Sequence, residues 1–169
     1  MSERTVTLKG NTVALAGPAL KTGEAAPDCE LVDNGLAPVK LSSYKGKVTV
    51  LCSVPSLDTP VCDLEMKRFN QEAVKLGDAV RVVCVSTDLP FAQKRWCGAT
   101  GASAITALSD HREAAFGKAY GVLIPSLRIL ARAVFVVDKG GILRHVQIVP
   151  EVASEPDYKA ALDAVAKAV

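Results

Sequence analysis

Residues 48–73 read V-T-V-L-C-S-V-P-S-L-D-T-P-V-C-D-L-E-M-K-R-F-N-Q-E-A, and they hold an apolar run, a turn and an amphipathic segment in that order. The run Val48–Val54 stops at Pro55 and has the length and composition of a buried strand. Asp58 or Thr59 suits a helix N-cap, because either side-chain oxygen accepts a hydrogen bond from an otherwise unpaired helix N–H. Pro60 suits the first helical position, where its missing N–H is no loss. Cys62, Met66, Phe69, Ala73 and Leu76 then follow at steps of four, three, four and three, which predicts a helix with one inward stripe. Asp63, Lys67, Arg68, Gln71, Glu72 and Lys75 fall off that stripe. A strand that feeds a helix through a short turn is half of a β–α–β unit, so this stretch decides for an α/β protein.

Working outward, Val80–Ser86 is a second strongly apolar strand. Thr87-Asp-Leu-Pro90 combines an N-cap type with an early proline and predicts a short helix over Phe91–Cys97, closed by Gly98. Ile105–Leu108 reads as a strand, and Glu113–Tyr120 as a helix stopped by Gly121. Ala133–Val137 is a buried strand that Lys139-Gly-Gly141 turns into Ile142–Ile148. Glu155-Pro-Asp157 caps a terminal helix to Ala168, with Tyr158, Ala161, Leu162, Val165 and Val169 as its apolar face. Upstream, Thr5–Leu8 and Thr12–Leu15 alternate around Gly10-Asn11 as a hairpin. Ala16–Pro27 is a connecting loop, Leu31-Val32 and Val39–Leu41 are short strands turned by Asn34-Gly35, and Ser42–Gly46 forms one helical turn. The expected architecture is a mixed sheet flanked by helices, with strands 48–54 and 80–86 parallel and the pair at 133–148 antiparallel. No repeat or linker divides it, so residues 1–169 read as one domain with residues 1–17 as an N-terminal hairpin extension.

Composition narrows the function classes. With 49% apolar and 22% charged residues the chain is globular, and a net charge of +2 gives no electrostatic footprint for nucleic acid or a membrane surface. The N-terminus lacks an apolar signal region and no stretch is long enough to span a bilayer, which makes the cytoplasm the expected compartment.

Five cysteines stand at 29, 52, 62, 84 and 97. None forms a C-x-x-C pair, so neither a zinc ribbon nor a thioredoxin-type dithiol is supported and no metal or cofactor is expected. Cys52 and Cys84 lie inside the two apolar strands and read as core fillers; Cys29 lies near a loop end. Cys62 and the segment leading to Cys97 follow the carboxyl ends of strands, where function gathers in open α/β sheets. A thiol in the first turn of a helix feels the positive end of the helix dipole. Bringing any thiol from ~8.5 to about 6 requires roughly 3.4 kcal/mol, and a helix end supplies at best about 2. A cation is therefore needed. Arg132 interrupts Leu130-Ala-Arg-Ala-Val-Phe at the entrance to a buried strand, an expensive place for a lone charge. It either serves Cys62, pairs with an acid, or reaches solvent. His111 and His145 are possible bases for a cysteine hydrolase or transferase, although both read as surface histidines. A thioredoxin-fold interaction protein without catalysis is the third reading.

Pro55-x-x-x-Thr59-x-x-Cys62, together with Asp58-Thr-Pro-Val-Cys62, Leu89-Pro-Phe-Ala-Gln93, Cys97-Gly98, Ala131-Arg-Ala-Val134 and Glu155-Pro-Asp-Tyr158, resembles the thiol peroxidase branch of the peroxiredoxin family, the atypical two-cysteine type. The likeness runs nearly end to end; Leu123–Leu130 is a few residues shorter than the family pattern. The resemblance implies a thioredoxin-like fold, a homodimer, and reduction of a hydroperoxide with thioredoxin as electron donor. It implies that Cys62 is the peroxidatic nucleophile, that Thr59 hydrogen-bonds the peroxide and that Arg132 stabilises the charged sulfur. Pro55 would shape the turn and shield the thiol, and Cys97 would resolve the sulfenic acid as an intrachain disulfide. Because Cys62 faces the core and Cys97 ends another helix, bringing their Cα atoms within about 7 Å requires the first turn around Cys62 to unwind.

Overall fold

A computed structural model describes residues 3–169. Thr5–Leu8 (β1) and Asn11–Ala14 (β2) form the expected hairpin, with Gly10 at φ +83° in its turn. Glu30–Val32 (β3) and Pro38–Lys40 (β4) form a second. Asp33 shapes the turn between them, its Oδ1 accepting from the N–H groups of Gly35 and Ala37 at 2.8 and 3.0 Å. Val48–Ser53 (β5), Pro60–Leu76 (α1), Val80–Ser86 (β6), Pro90–Thr100 (α2) and Ile105–Ser109 (β7) follow as two β–α–β units. Ala115–Ala119 (α3), Leu123–Ile124 (β8), Ile129–Leu130 (β9), Ala133–Val137 (β10), Leu143–Ile148 (β11) and Tyr158–Ala168 (α4) complete the chain.

The main sheet runs β11-β10-β5-β6-β7-β3-β4. β5, β6 and β7 are parallel, and β10 lies antiparallel along the other edge of β5. Side chains alternate across these strands. Val50 and Cys52 point into one core with Cys62, Met66, Phe69 and Trp96; Leu51 points into the other with Phe116, Tyr120 and Phe135. The inward stripe of α1 is as expected, with Leu76 only half-buried at its end. α4 packs on α1 through Phe69 and Tyr158, whose ring centroids are 5.3 Å apart.

Some boundaries differ from the sequence reading. α2 runs through Gly98 to Thr100, and the stop is Gly101, left-handed at φ +67°. α3 begins at Ala115 rather than at Glu113, because Ala114 is left-handed at φ +54° and the Asp110 carboxylate accepts from the N–H groups of Phe116 and Gly117. Leu123–Leu130 is not an open loop: β8 and β9 pair, with Leu123 opposite Leu130. Val169 lies past α4 and is exposed, so it adds nothing to the apolar face. The hairpin is bound to the body, since Thr7 N–H donates to Pro150 O and Val152 N–H to Thr7 O, both at 2.8 Å. No helix among the described residues is long and apolar enough to cross a membrane.

Candidate active site

The turn that carries Cys62 is anchored before the helix starts. Val54 N–H donates to Val85 O at 3.0 Å, Ser53 Oγ donates to Ala131 O at 2.8 Å, and Pro55 is buried. Thr59, not Asp58, is the N-cap: its Oγ1 accepts from Cys62 N–H at 3.4 Å and donates to Ser56 O at 3.1 Å. Pro60 opens α1, which makes Cys62 the third residue of the helix, with no solvent exposure.

Arg132 reaches the same point from between β9 and β10. It is 1% exposed, and each end of its guanidinium group has a separate partner. Nη2 donates to Cys62 Sγ at 3.1 Å, Nη1 to Glu65 Oε2 at 2.5 Å, and Nε to Val152 O at 2.8 Å. Of the three readings left open by the sequence, the arginine does not reach solvent; it pairs with an acid and contacts the thiol at once. Burial works against its charge, but the Glu65 carboxylate and the Cys62 sulfur outweigh that and hold its pKa above the ordinary value. Opposite unit charges about 4 Å apart attract by ~4 kcal/mol at an effective dielectric near 20. That exceeds the ~2 kcal/mol ceiling of a helix end, so the guanidinium is the stronger influence on the sulfur.

Glu65 was not among the residues singled out from sequence. It is completely buried, burial pushes its carboxyl upward against the pull of Arg132, and Oε1 has no hydrogen-bond partner. Its position did hold a signal: three residues after Cys62 and four before Phe69, it falls on the apolar stripe, where a carboxylate needs a partner.

Cys97 lies half-buried on α2, and burial raises its thiol pKa while the Asn34 side chain works in the opposite direction. All five cysteines are free thiols, so Cys62 and Cys97 are not bonded to each other. Cys52 and Cys84 sit directly opposite one another on β5 and β6, fully enclosed, and burial pushes both thiols far up. Burial, with Asp110 and Asp28 nearby, takes Cys29 up to about 12. The histidines are half-buried rather than on the surface. His111 Nδ1 shares a hydrogen bond with Ser109 Oγ at 2.9 Å, and His145 Nε2, on β11, is enclosed without a partner. The sulfur of Cys62 is hydrogen-bonded by arginine, not by an imidazole base. Among the described residues no group of His, Cys, Asp and Glu is arranged to hold a metal ion.

A mixed sheet of this order, with a cysteine in the first turn of the helix after a central strand and a buried arginine on its sulfur, defines a thioredoxin-like thiol-redox centre. Comparison with known proteins gives the family. The Redoxin family pattern matches residues 21–162, and the chain belongs to that family. It is 48% identical to a thiol peroxidase of Bacillus subtilis over 159 residues, covering 94% of this chain and 95% of the relative. It is 51% identical to a thiol peroxidase of Oceanobacillus iheyensis over 157 residues, covering 93% and 95%. The crystal structure of a peroxiredoxin-like protein from Aquifex aeolicus superposes with a TM-score of 0.91 at 46% identity, covering 98% of each chain.

Proposed function

We propose that this chain is a thiol-dependent peroxidase that reduces hydrogen peroxide and organic hydroperoxides and serves antioxidant defence. The observation that carries this reading is the 3.1 Å hydrogen bond from Arg132 to the sulfur of Cys62, both fully buried, in the first turn of a helix. The thiol peroxidases at 48% and 51% identity support it. Cys62 is the peroxidatic residue. Its thiolate attacks one peroxide oxygen, an S–O bond forms as O–O breaks, and the leaving alkoxide or hydroxide takes a proton to become alcohol or water. Sulfur is oxidised to sulfenic acid and the peroxide is reduced. Arg132 stabilises negative charge first on sulfur and then on the departing oxygen, and Thr59 turns its hydroxyl to the bound peroxide. Pro55 closes the turn against water.

Cys97 is the resolving residue. Its thiolate attacks the sulfenic sulfur, the disulfide forms within one chain, and hydroxide leaves as water. A thioredoxin dithiol reduces that disulfide and is itself oxidised. The site works without cofactor or metal. The whole chain acts as one unit in the cytoplasm, where its free thiols are maintained, and it acts as a homodimer. Leu64, Leu89 and Phe91, which are 55%, 53% and 67% exposed, offer apolar surface for that association.

Mass spectrometry after one equivalent of hydroperoxide tests the scheme. Wild type gains a Cys62–Cys97 link, Cys62→Ser consumes no peroxide beyond the rate of a free thiol, and Cys97→Ser accumulates sulfenic acid on Cys62. A link from Cys62 to Cys29, or one between chains, overturns the assignment of Cys97.

A further inference from the structure

On the opposite side of the main sheet from Cys62, three connecting segments close around a cavity of about 140 Å³. They are tied to one another. Ala26 N–H donates to Gly141 O at 2.8 Å, Gly46 N–H to Lys139 O at 3.0 Å, and Ser42 N–H to Asp28 Oδ1 at 2.9 Å. Each segment thus bonds to both of the others, and the wall is built into the fold. Leu41, Leu51 and Tyr120 form the buried floor, with Ala26, Tyr44 and Val137 half-buried above it. Both tyrosine rings have partners: Tyr120 stacks on Phe116 with centroids 4.3 Å apart, and the Arg81 guanidinium stands 4.7 Å from the centre of Tyr44. A cavity of about 150 Å³ with apolar walls takes up benzene, so this one has room for a single aromatic ring. The mouth is more positive than negative. Exposed Lys45 and Lys47 make no ion pair with a carboxylate among the described residues. Asp138 is matched by Arg144, whose Nε donates to Oδ2 at 2.7 Å, which leaves Asp28 against two ammonium groups. Lys45 is also positioned by the backbone. Its Cε lies 2.9 Å from where a Cβ on Gly141 would stand, and Gly141 is left-handed at φ +84°, so glycine makes room for that stem twice over.

We propose that this cavity binds a small aromatic carboxylate, its single ring seated among Leu51, Tyr44 and Tyr120 and its carboxylate at Lys45 and Lys47. Apolar walls with a few polar groups at one end are the usual make-up of a small-molecule site. The ring leaves water for an apolar floor, and flanking aromatic side chains suit it in edge or offset contact. The lysines supply the choice between ligands of one shape, because they attract an anion and repel a cation. The stem of Lys45 adds apolar wall while its ammonium stays in water. The peroxidase reading uses the other side of the sheet, so the two proposals stand or fall separately.

Titrating phenylacetate into the reduced full chain, followed by amide resonances, tests the site. Residues 26–28, 44–51 and 137–141 should shift along one saturating curve, with a Kd on the order of 1 mM or tighter, as a good contact for so small a ligand gives. Benzylamine, which has the same ring and the opposite charge, should bind at least about tenfold more weakly. Lys45→Met keeps an apolar stem and removes the charge; it should weaken phenylacetate by about tenfold and leave benzylamine no weaker. Ala26→Leu fills the cavity from its wall and should abolish binding of both. Where Ala26→Leu does not fold, Lys45→Met and the comparison of the two probes still decide. Phenylacetate should also raise the midpoint of thermal unfolding in proportion to its occupancy of the folded chain. Shifts that do not saturate, equal binding of the two probes, or shifts centred on Cys62 and Arg132 instead would each overturn the proposal.

Discussion

Cys62 and Cys97 ride on successive β–α units of one sheet, yet the two mounts treat a thiol in opposite ways. Cys62 is the third of 17 residues in α1, fully buried, with a guanidinium on its sulfur and a threonine capping its N–H. Cys97 is the eighth of 11 residues in α2, half-buried in the final turn, where the helix end carries partial negative charge. Burial raises its pKa, and the Asn34 amide and a backbone hydrogen bond at Cys97 itself oppose that. One unit encloses its sulfur beside a guanidinium, and the other leaves its thiol half-exposed beside an amide. The lesson is that burial does not decide reactivity. The more buried of the two is the proposed nucleophile, because a cation was buried with it.

The largest test of that contrast removes the cation. Arg132→Met should slow the reaction of Cys62 with peroxide by about 10²–10³-fold, as loss of a charge-stabilising donor does at other sites. It should also destabilise the fold by about 3–5 kcal/mol, because Glu65 is left buried without its partner. Adding Glu65→Met should recover most of the stability in urea titrations and none of the rate. A double variant with wild-type rate would mean the helix end alone activates Cys62.

A smaller effect concerns the other thiol. Burial raises the Cys97 pKa above that of a free thiol, so its thiolate forms at higher pH than a free thiol's does. In Cys62→Ser, iodoacetamide labelling of Cys97 should therefore climb at higher pH than labelling of a cysteine in a short unfolded peptide, and a midpoint at or below the peptide's would erase the contrast. Asn34→Ala should move the midpoint further up.

The smallest concerns the cap. Thr59→Ala should lower stability by about 1 kcal/mol, and Thr59→Ser should restore it to within a few tenths. Thermal unfolding of the reduced protein reads both. A Thr59→Ala loss near zero would mean that the Arg132 contacts, not the cap, hold the first turn.

Much of this was legible in residues 48–73, because a bounded apolar run, a proline at the first helical position and a 3–4 stripe are local signals. They placed β5, α1 and the thiol at the helix start. Arg132 was legible as a charge in the wrong company, but its partner was not: Glu65 hides among the charges of α1 and is distinguished only by falling on the apolar face. The order of strands, with β10 set against β5, depends on long-range pairing and left no local trace. Thr87-Asp-Leu-Pro90 misled for a related reason. Its side chains match a cap, yet Asp88 found donors on another segment, 31 and 32 residues away in the chain. The longer reach of α2 was also hidden, since Gly98 reads as a stop and sits inside the helix.

The N-terminal hairpin carries a practical consequence for anyone who trims this protein. The Redoxin match starts at residue 21 and ends at residue 162, so a fragment cut to those limits would keep both thiols and the arginine. It would lose Thr7, which accepts from Val152, whose carbonyl in turn receives Arg132 Nε. It would also lose Val165, which belongs to the same core as Cys62. The matched stretch thus lacks part of its own support: the carbonyl that receives Arg132 belongs to a residue tied down by Thr7, which lies outside it.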